Sequence, residues 1–283
     1  MKIGIIGNGF VGKATRQLEC NDIEILTYDI NPELCYPTEI TIKYMCDNCD
    51  LIFISVPTPM NHDGSCYLGI IENVVNDLKQ YTDFNKSLIV LRSTIPPGTS
   101  DKFNCFFMPE FLTEKNYIND FINNKNWIFG LKNNEQDIAF KQKITELFQT
   151  AFLNNKIKYN NLLFCSTKEA EMIKYVRNCF LSVKISFFNE IYEFCKKKNI
   201  DFNTIREYAT LDDRIGTSHT NVPGHDGKFG FGGTCFPKDM SSLNEEMKSI
   251  NMKSYIISNS ILRNDNVDRT DKDWLNNKGR SSL

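Results

Sequence analysis

The sequence predicts an α/β fold, a doubly wound parallel sheet followed by an all-helical region, and three observations carry that prediction. Short apolar runs bounded by turn residues recur as far as Leu131, alternating with helical or loop segments. A glycine-punctuated turn follows the first run at the mouth of a helix. From about Ser166 onward, no proline or glycine interrupts the chain until Gly216. Strands separated by helix-sized crossovers pair in parallel, with helices on both faces of the sheet.

In chain order, residues 2–6 form a short buried strand, residues 12–19 a helix and residues 23–28 the next strand. Further strands are expected at 51–56, 88–91, 105–108 and 127–131, each a brief apolar run too short for a helix. Ser166 and Glu169 make a capping-box pair that opens a long helix. Along it Met172, Val176, Cys179, Val183, Phe187, Ile191 and Phe194 recur at three- and four-residue spacing, a stripe expected to face mostly core. A second helix is expected over 201–211, a glycine-rich loop containing Pro223 over 216–233, and a third helix with Pro237 in its first turn. These elements divide the chain into a sheet domain at 1–160, a helical domain at 161–262 and a polar, asparagine-rich tail at 263–283, whose last dozen residues are expected to be mobile.

A chain of 283 residues exceeds one typical domain and buries roughly 75% of its unfolded surface. With 33 basic and 35 acidic residues the net charge is −2, so no global basic field draws nucleic acid or an anionic membrane, and neither is expected as a partner. The opening M-K-I-G-I-I-G is too brief for a secretory signal, and no apolar stretch reaches membrane-spanning length. Ten scattered cysteines lack the dense spacing of a secreted disulfide scaffold and point to a reducing cytoplasm. Cys46 and Cys49 form one C-x-x-C, but with three histidines and no second such pair a tetrahedral metal set is hard to assemble. Both read as plain thiols, and no metal is expected.

Gly7, Asn8, Gly9, Phe10, Val11 and Gly12 spell G-N-G-F-V-G directly after the first strand, the context in which this pattern signals a Rossmann-type dinucleotide site. The glycines permit a tight turn and close backbone approach to a pyrophosphate, which the helix N-terminus attracts. Asp29 ends the second strand twenty residues beyond Gly9. A carboxylate there accepts bonds from both ribose hydroxyls and repels a 2′-phosphate, which favours NAD over NADP.

Four further segments stand apart: S-T-I-P-P-G-T at 93–99, M-P-E-F-L at 108–112, the Lys174 and Asn178 pair, and G-F-G-G-T-C-F-P-K-D at 230–239. With the cofactor fingerprint, they resemble the UDP-glucose/GDP-mannose dehydrogenase family from Met1 to about Asp265. Cys235 precedes Pro237, so its thiol should lie at a helix N-terminus beside Lys238, and both features lower a thiol pKa. Such a thiolate adds to an aldehyde and carries a thioester after a second hydride loss. Lys174 and Asn178 lie four apart and share a helix face; the resemblance implies that they stabilise a developing oxyanion. It assigns thioester hydrolysis to Glu110 as general base, with Asp239 and Thr94 orienting the water or the lysine.

The resemblance also extends the cofactor contacts to Val56, Thr58, Pro59, Ser93, Thr94 and Glu114. It places Phe111, Leu112, Gly230, Phe231 and Gly232 on the substrate with Glu110, Lys174, Asn178 and Cys235. Arg214 corresponds to an arginine that reaches the substrate from the neighbouring subunit, implying a homodimer built on the long central helix. Departures are Lys115, where the family commonly has glycine, Pro57 and Met60 in the stretch near the cofactor, and an altered T-N-V-P-G-H-D-G-K insertion before Gly230. On this resemblance the chain is expected to be a short form lacking the C-terminal nucleotide-gripping domain. The expected activity is NAD-dependent four-electron oxidation of a nucleotide sugar, UDP-glucose to UDP-glucuronate. Two alternatives stay open: a non-catalytic NAD-binding partner of a full-length dehydrogenase, and a two-electron hydroxyacid dehydrogenase, whose activity would survive Cys235→Ser.

Overall fold

The computed structural model describes residues 1–283, and the chain divides into two compact units, Met1–Thr58 with Leu68–Lys174, and Pro59–Tyr67 with Tyr175–Leu283. In the first unit the chain runs β1 (Lys2–Ile6), α1 (Phe10–Thr15), β2 (Glu24–Tyr28), α2 (Ile42–Asn48), β3 (Leu51–Ile54), α3 (Gly69–Lys79) and β4 (Ile89–Leu91). It continues through α4 (Thr99–Phe103), β5 (Phe106–Phe107), α5 (Tyr117–Ile122), β6 (Asn126–Leu131), α6 (Gln136–Leu153) and β7 (Asn161–Ser166) into α7 (Thr167–Lys198), whose first turns complete the unit.

The sheet order is β2-β1-β3-β4-β5-β6-β7, with every neighbouring pair parallel except β5 and β6. The order reverses at β1, which has β2 on one side and β3 on the other. That switch point opens a crevice at the carboxyl ends of the strands, where doubly wound sheets bind ligands. Period-two alternation splits the core across the sheet: Ile3, Ile5, Phe53, Val90 and Phe106 enter one cluster, while Ile6, Ile52, Ile54, Ile89, Leu91 and Phe107 enter the other. On the first face Phe106 stacks on Phe140 from α6 with centroids 3.8 Å apart, and Trp127 packs against Phe121 and Phe148.

In the second unit the remainder of α7 is joined by α8 (Phe202–Ala209), α9 (Phe236–Ser249) and α10 (Tyr255–Arg263), the last leading into a π-helical turn, Asn264–Asp268. Asp201 caps α8 by accepting from the Asn203 and Thr204 N–H groups. No helix is long and apolar enough to cross a membrane.

Three features depart from the sequence reading. Residues 161–166 form β7, which pairs with β6 at six positions, so the sheet unit runs past 160 into α7. The α7 stripe is not all core, for its Val176, Phe187 and Phe194 are exposed, and so is Phe180 outside it, at 63%. Residues 263–283 are folded rather than a free tail: Trp274 is 4% exposed, and the chain end pairs with Met60 through Met60 N–H to the Ser281 carbonyl at 3.0 Å and Leu283 N–H to the Met60 carbonyl at 3.1 Å. The single tryptophan in this polar stretch supplies the apolar anchor.

Candidate active site

The cofactor loop follows β1 directly. Gly7 has φ +91, and a Cβ there would meet the Ser55 carbonyl; a Cβ on Gly12 would overlap the Gly7 carbonyl, so both positions require glycine. Asp29, just past β2, accepts the Asn8 N–H at 2.7 Å and the Asn31 N–H at 2.9 Å, which fixes its carboxylate beside the glycine turn. The Asn8 side chain donates to the Leu34 carbonyl at 2.9 Å. Phe10 and Val11 begin α1, and Phe10 lies 5.1 Å from the Tyr117 ring. A tight glycine turn, an open helix N-terminus and an adjacent carboxylate fit the pyrophosphate and ribose of NAD.

Beyond β3 and β4 the two strand ends are tied together. The Ser93 hydroxyl donates to the Val56 carbonyl at 2.6 Å, and the Thr58 hydroxyl donates to the Thr94 carbonyl at 2.8 Å. Residues 93–99 are further held by Glu171, whose carboxylate accepts Gly98 N–H at 2.5 Å and Ser100 N–H at 2.7 Å. Burial pushes the Glu171 carboxyl up, against the downward pull of those bonds. Pro59 opens the short segment 59–67 of the second unit, and Glu114 sits in the exposed turn before α5.

Glu110 follows β5 in M-P-E-F-L and pairs with Lys174 of α7 at 2.6 Å, the two side chains being 10% and 3% exposed. Its second oxygen accepts the Leu112 N–H at 2.8 Å, and Lys174 Nζ lies 5.8 Å from the Phe111 ring. Burial alone would raise the Glu110 pKa, but the Lys174 ammonium, the Leu112 N–H and the Arg92 guanidinium together hold it below the usual carboxylate range. Arg92 is buried, donates to the Thr15 hydroxyl and is pushed down to about 10 by that burial. Sequence reasoning missed Arg92 and Glu171; the signal was a charged residue inside or beside an apolar run, where burial demands a partner.

In the second unit Cys235 is the N-cap of α9, whose open first-turn N–H groups favour a thiolate. Its Sγ is 3.7 Å from the Thr234 hydroxyl. Behind it Asp239, 1% exposed, takes Lys238 Nζ at 2.5 Å on one oxygen and Asn178 Nδ2 at 2.6 Å on the other. Burial opposes the Lys238 charge, yet Asp239, with the thiols of Cys235 and Cys66, holds the ammonium above its ordinary value. Lys238 is thus a fixed cation held by Asp239, beside the thiol but not bonded to it alone. Cys46 and Cys49, in contrast, are pushed up by burial to about 11 and about 12, and neither is a ready thiolate at neutral pH.

Lys174 and Asn178 stand one turn apart on α7, both buried, but each is committed to its own carboxylate, Glu110 for the lysine and Asp239 for the asparagine. Buried Gly230 and Phe231 and half-buried Gly232 lead to Cys235, with Gly230 N–H donating to Asn189 Oδ1 at 3.1 Å. Arg214 lies outside that cluster, exposed and paired with Asp212 at 2.5 Å in a turn that Lys184 fastens to α7 through the Ile215 and Gly216 carbonyls.

Known proteins carry the same two parts. The family model described as the NAD binding domain of the UDP-glucose/GDP-mannose dehydrogenase family matches residues 36–152, and that of its central domain matches residues 168–266. YtcA of Bacillus subtilis is 31% identical over 231 residues, covering 76% of this chain and 50% of its own. The UDP-glucose 6-dehydrogenase of Rickettsia prowazekii is 31% identical over 229 residues, covering 77% of this chain and 49% of its own. A solved UDP-glucose dehydrogenase from Pyrobaculum islandicum superposes with a TM-score of 0.76 at 25% identity, over 93% of this chain and 67% of that one. The chain spans about half the length of the curated relatives it matches.

Proposed function

The chain belongs to the UDP-glucose/GDP-mannose dehydrogenase family, and on that premise we propose that it oxidises the primary alcohol of a nucleotide sugar, UDP-glucose first among candidates, to the carboxylate through a thioester on Cys235. NAD, held by the Gly7–Gly12 turn with its ribose on Asp29, would supply the hydride acceptor for both oxidations. The hydroxyl proton leaves to solvent water while Lys174 and Asn178 stabilise the resulting alkoxide oxygen, and loss of hydride from its carbon gives the aldehyde. The Cys235 sulfur adds as thiolate to that aldehyde, forming a C–S bond, with the Lys238 ammonium as the nearby cation. A second hydride loss leaves the thioester. Glu110 then takes a proton from water as its oxygen attacks the thioester carbon; the C–S bond breaks and the carboxylate leaves.

The observation that carries this reading is Cys235 at the head of α9 with the Lys238–Asp239–Asn178 chain behind it. Counting NADH per sugar consumed across UDP-, GDP- and unlinked sugars tests it. The expected result is two NADH per UDP-glucose, with an adduct on the Cys235 peptide by mass spectrometry. Silence across the panel despite measurable NAD binding would overturn the reading.

The same proposal includes a homodimer through α7. Its exposed Val176, Phe180, Phe187 and Phe194 lie on the helix to which the Arg214 turn is fastened, and an apolar patch of this kind marks an interface. Phe180→Asp should convert a sedimenting dimer to monomer and cost turnover through loss of the partner's arginine; wild-type chain that sediments as a monomer at working concentration excludes the dimer.

A further inference from the structure

We propose that Asn264 and Arg269, in the segment after α10, are positioning residues that hold the backbone of residues 230–233 in the path delivering Cys235 to the head of α9. The proposal rests on the reading of Cys235 as nucleophile. Three of the four residues in this approach, G-F-G-G, are glycine, and Gly230 and Gly233 have φ +68 and +73. A stretch of this composition has large conformational freedom, and the nucleophile it carries would have no fixed aim without an outside restraint.

The restraint comes from the C-terminal segment. Asn264 is fully buried; its Oδ1 accepts the Phe231 N–H at 2.8 Å and its Nδ2 donates to the Phe231 carbonyl at 3.0 Å. One side-chain amide thus takes both backbone groups of one residue, as a neighbouring strand would. The π-helical turn places it: Arg269 N–H closes the widened turn on the Asn264 carbonyl at 2.7 Å, and such turns are rare and frequent at functional sites. Arg269, 5% exposed, is held by Asp273 at 2.7 and 2.9 Å and by Asp226 at 2.7 Å. Its guanidinium lies so close over Gly232 that a Cβ there would overlap it, and a Cβ on Gly230 would overlap Asn264. The glycines admit the two clamping side chains, and the clamps fix the glycines.

The test is made on the full chain carrying Asn264→Ala, Asn264→Asp, Arg269→Ala or Arg269→Lys. Iodoacetamide modification of Cys235 is followed across pH by peptide mass spectrometry, beside NADH turnover. In Asn264→Ala the pH profile of modification should move upward and kcat fall on the order of 10- to 100-fold, with KM for NAD unchanged within about twofold. Arg269→Lys should recover part of what Arg269→Ala loses. Unchanged profiles and kcat in folded variants would overturn the proposal. Should Asn264→Ala fail to fold, Asn264→Asp keeps the acceptor for Phe231 N–H and is read the same way. In the unsubstituted protein the Phe231 amide must also be protected from hydrogen exchange; rapid exchange there refutes the clamp without any variant. If Cys235→Ser retains full turnover, the nucleophile reading fails, while exchange protection and the Cys235 profile still report on the clamp.

Discussion

Each unit of the molecule buries one lysine against one carboxylate, and the two pairs are built differently. In the first unit Lys174 meets Glu110 across 64 residues of chain, and the acid is held ionised despite its burial. In the second Lys238 meets its neighbour Asp239, and the lysine is held protonated despite its burial. Glu110 sits on a loop after a strand, with its carboxylate kept ionised by the Lys174 ammonium and the Leu112 N–H. Asp239 sits in the first turn of α9, where the helix dipole already favours its charge and Asn178 takes its other oxygen. One pair presents a base and the other braces a cation beside a thiol.

The largest effect that would break this comparison is kinetic. Glu110→Gln removes the base but keeps an acceptor for Lys174, so steady-state turnover should fall by roughly 10²–10⁴. On the proposed mechanism both hydride transfers precede hydrolysis, and a burst of two NADH per chain should remain while the acyl group accumulates on Cys235. Lys238→Met should instead slow thioester formation and leave no trapped adduct. If both variants stall at the same intermediate, the two pairs do not divide the labour as argued.

Next in size is stability. Removing one partner of a buried ion pair leaves an uncompensated charge and costs about 3–5 kcal/mol, so Lys174→Met should lower the stability of the first unit by that amount. Lys238→Met should cost less, because the Asn178 amide and the α9 dipole still serve Asp239. Each unit contains one buried tryptophan, Trp127 in the first and Trp274 in the second. Denaturation of Trp274→Phe and Trp127→Phe backgrounds followed by fluorescence therefore reads the two losses separately. Equal losses in both units would remove the asymmetry.

Much of this was legible in the chain itself. The G-N-G-F-V-G turn, Asp29 and the strands up to β6 follow from period and punctuation, signals that act within a few residues. The brace behind Cys235 was half legible: Lys238 and Asp239 are adjacent in sequence, but that Asn178 completes the set depends on a contact across 61 residues. Glu110 and Lys174 are each visible as motif members, whereas their bond to each other is a tertiary event. The α7 stripe was assigned to core because periodicity reports an apolar face without saying whether the same chain or another covers it. The segment 263–283 misled by its polarity. It is held chiefly by buried charge pairs around Arg269 and by one tryptophan, and local composition does not announce either.

The smallest effect concerns pH and sets Glu110 against the other buried glutamate of its unit, Glu171. Glu110 binds its proton less tightly folded than unfolded, so its contribution is present above its unfolded value near 4.5 and is lost as pH falls through the lower folded value. Glu171, raised mainly by burial, binds its proton more tightly folded. Its contribution is fully present below 4.5 and is lost as pH rises through the folded value, opposing Glu110 on the acid side. One proton bounds either slope at about 1.4 kcal/mol per pH unit. Urea denaturation of the first unit from below 4.5 up to neutral pH should give a flatter limb below 4.5 in Glu110→Gln and a steeper rise just above 4.5 in Glu171→Gln. Slopes are the quantity to compare, since Glu171→Gln also loses an acceptor for Gly98 or Ser100 at every pH. Parallel limbs in both variants would mean that the two carboxyls are not tuned in opposite directions.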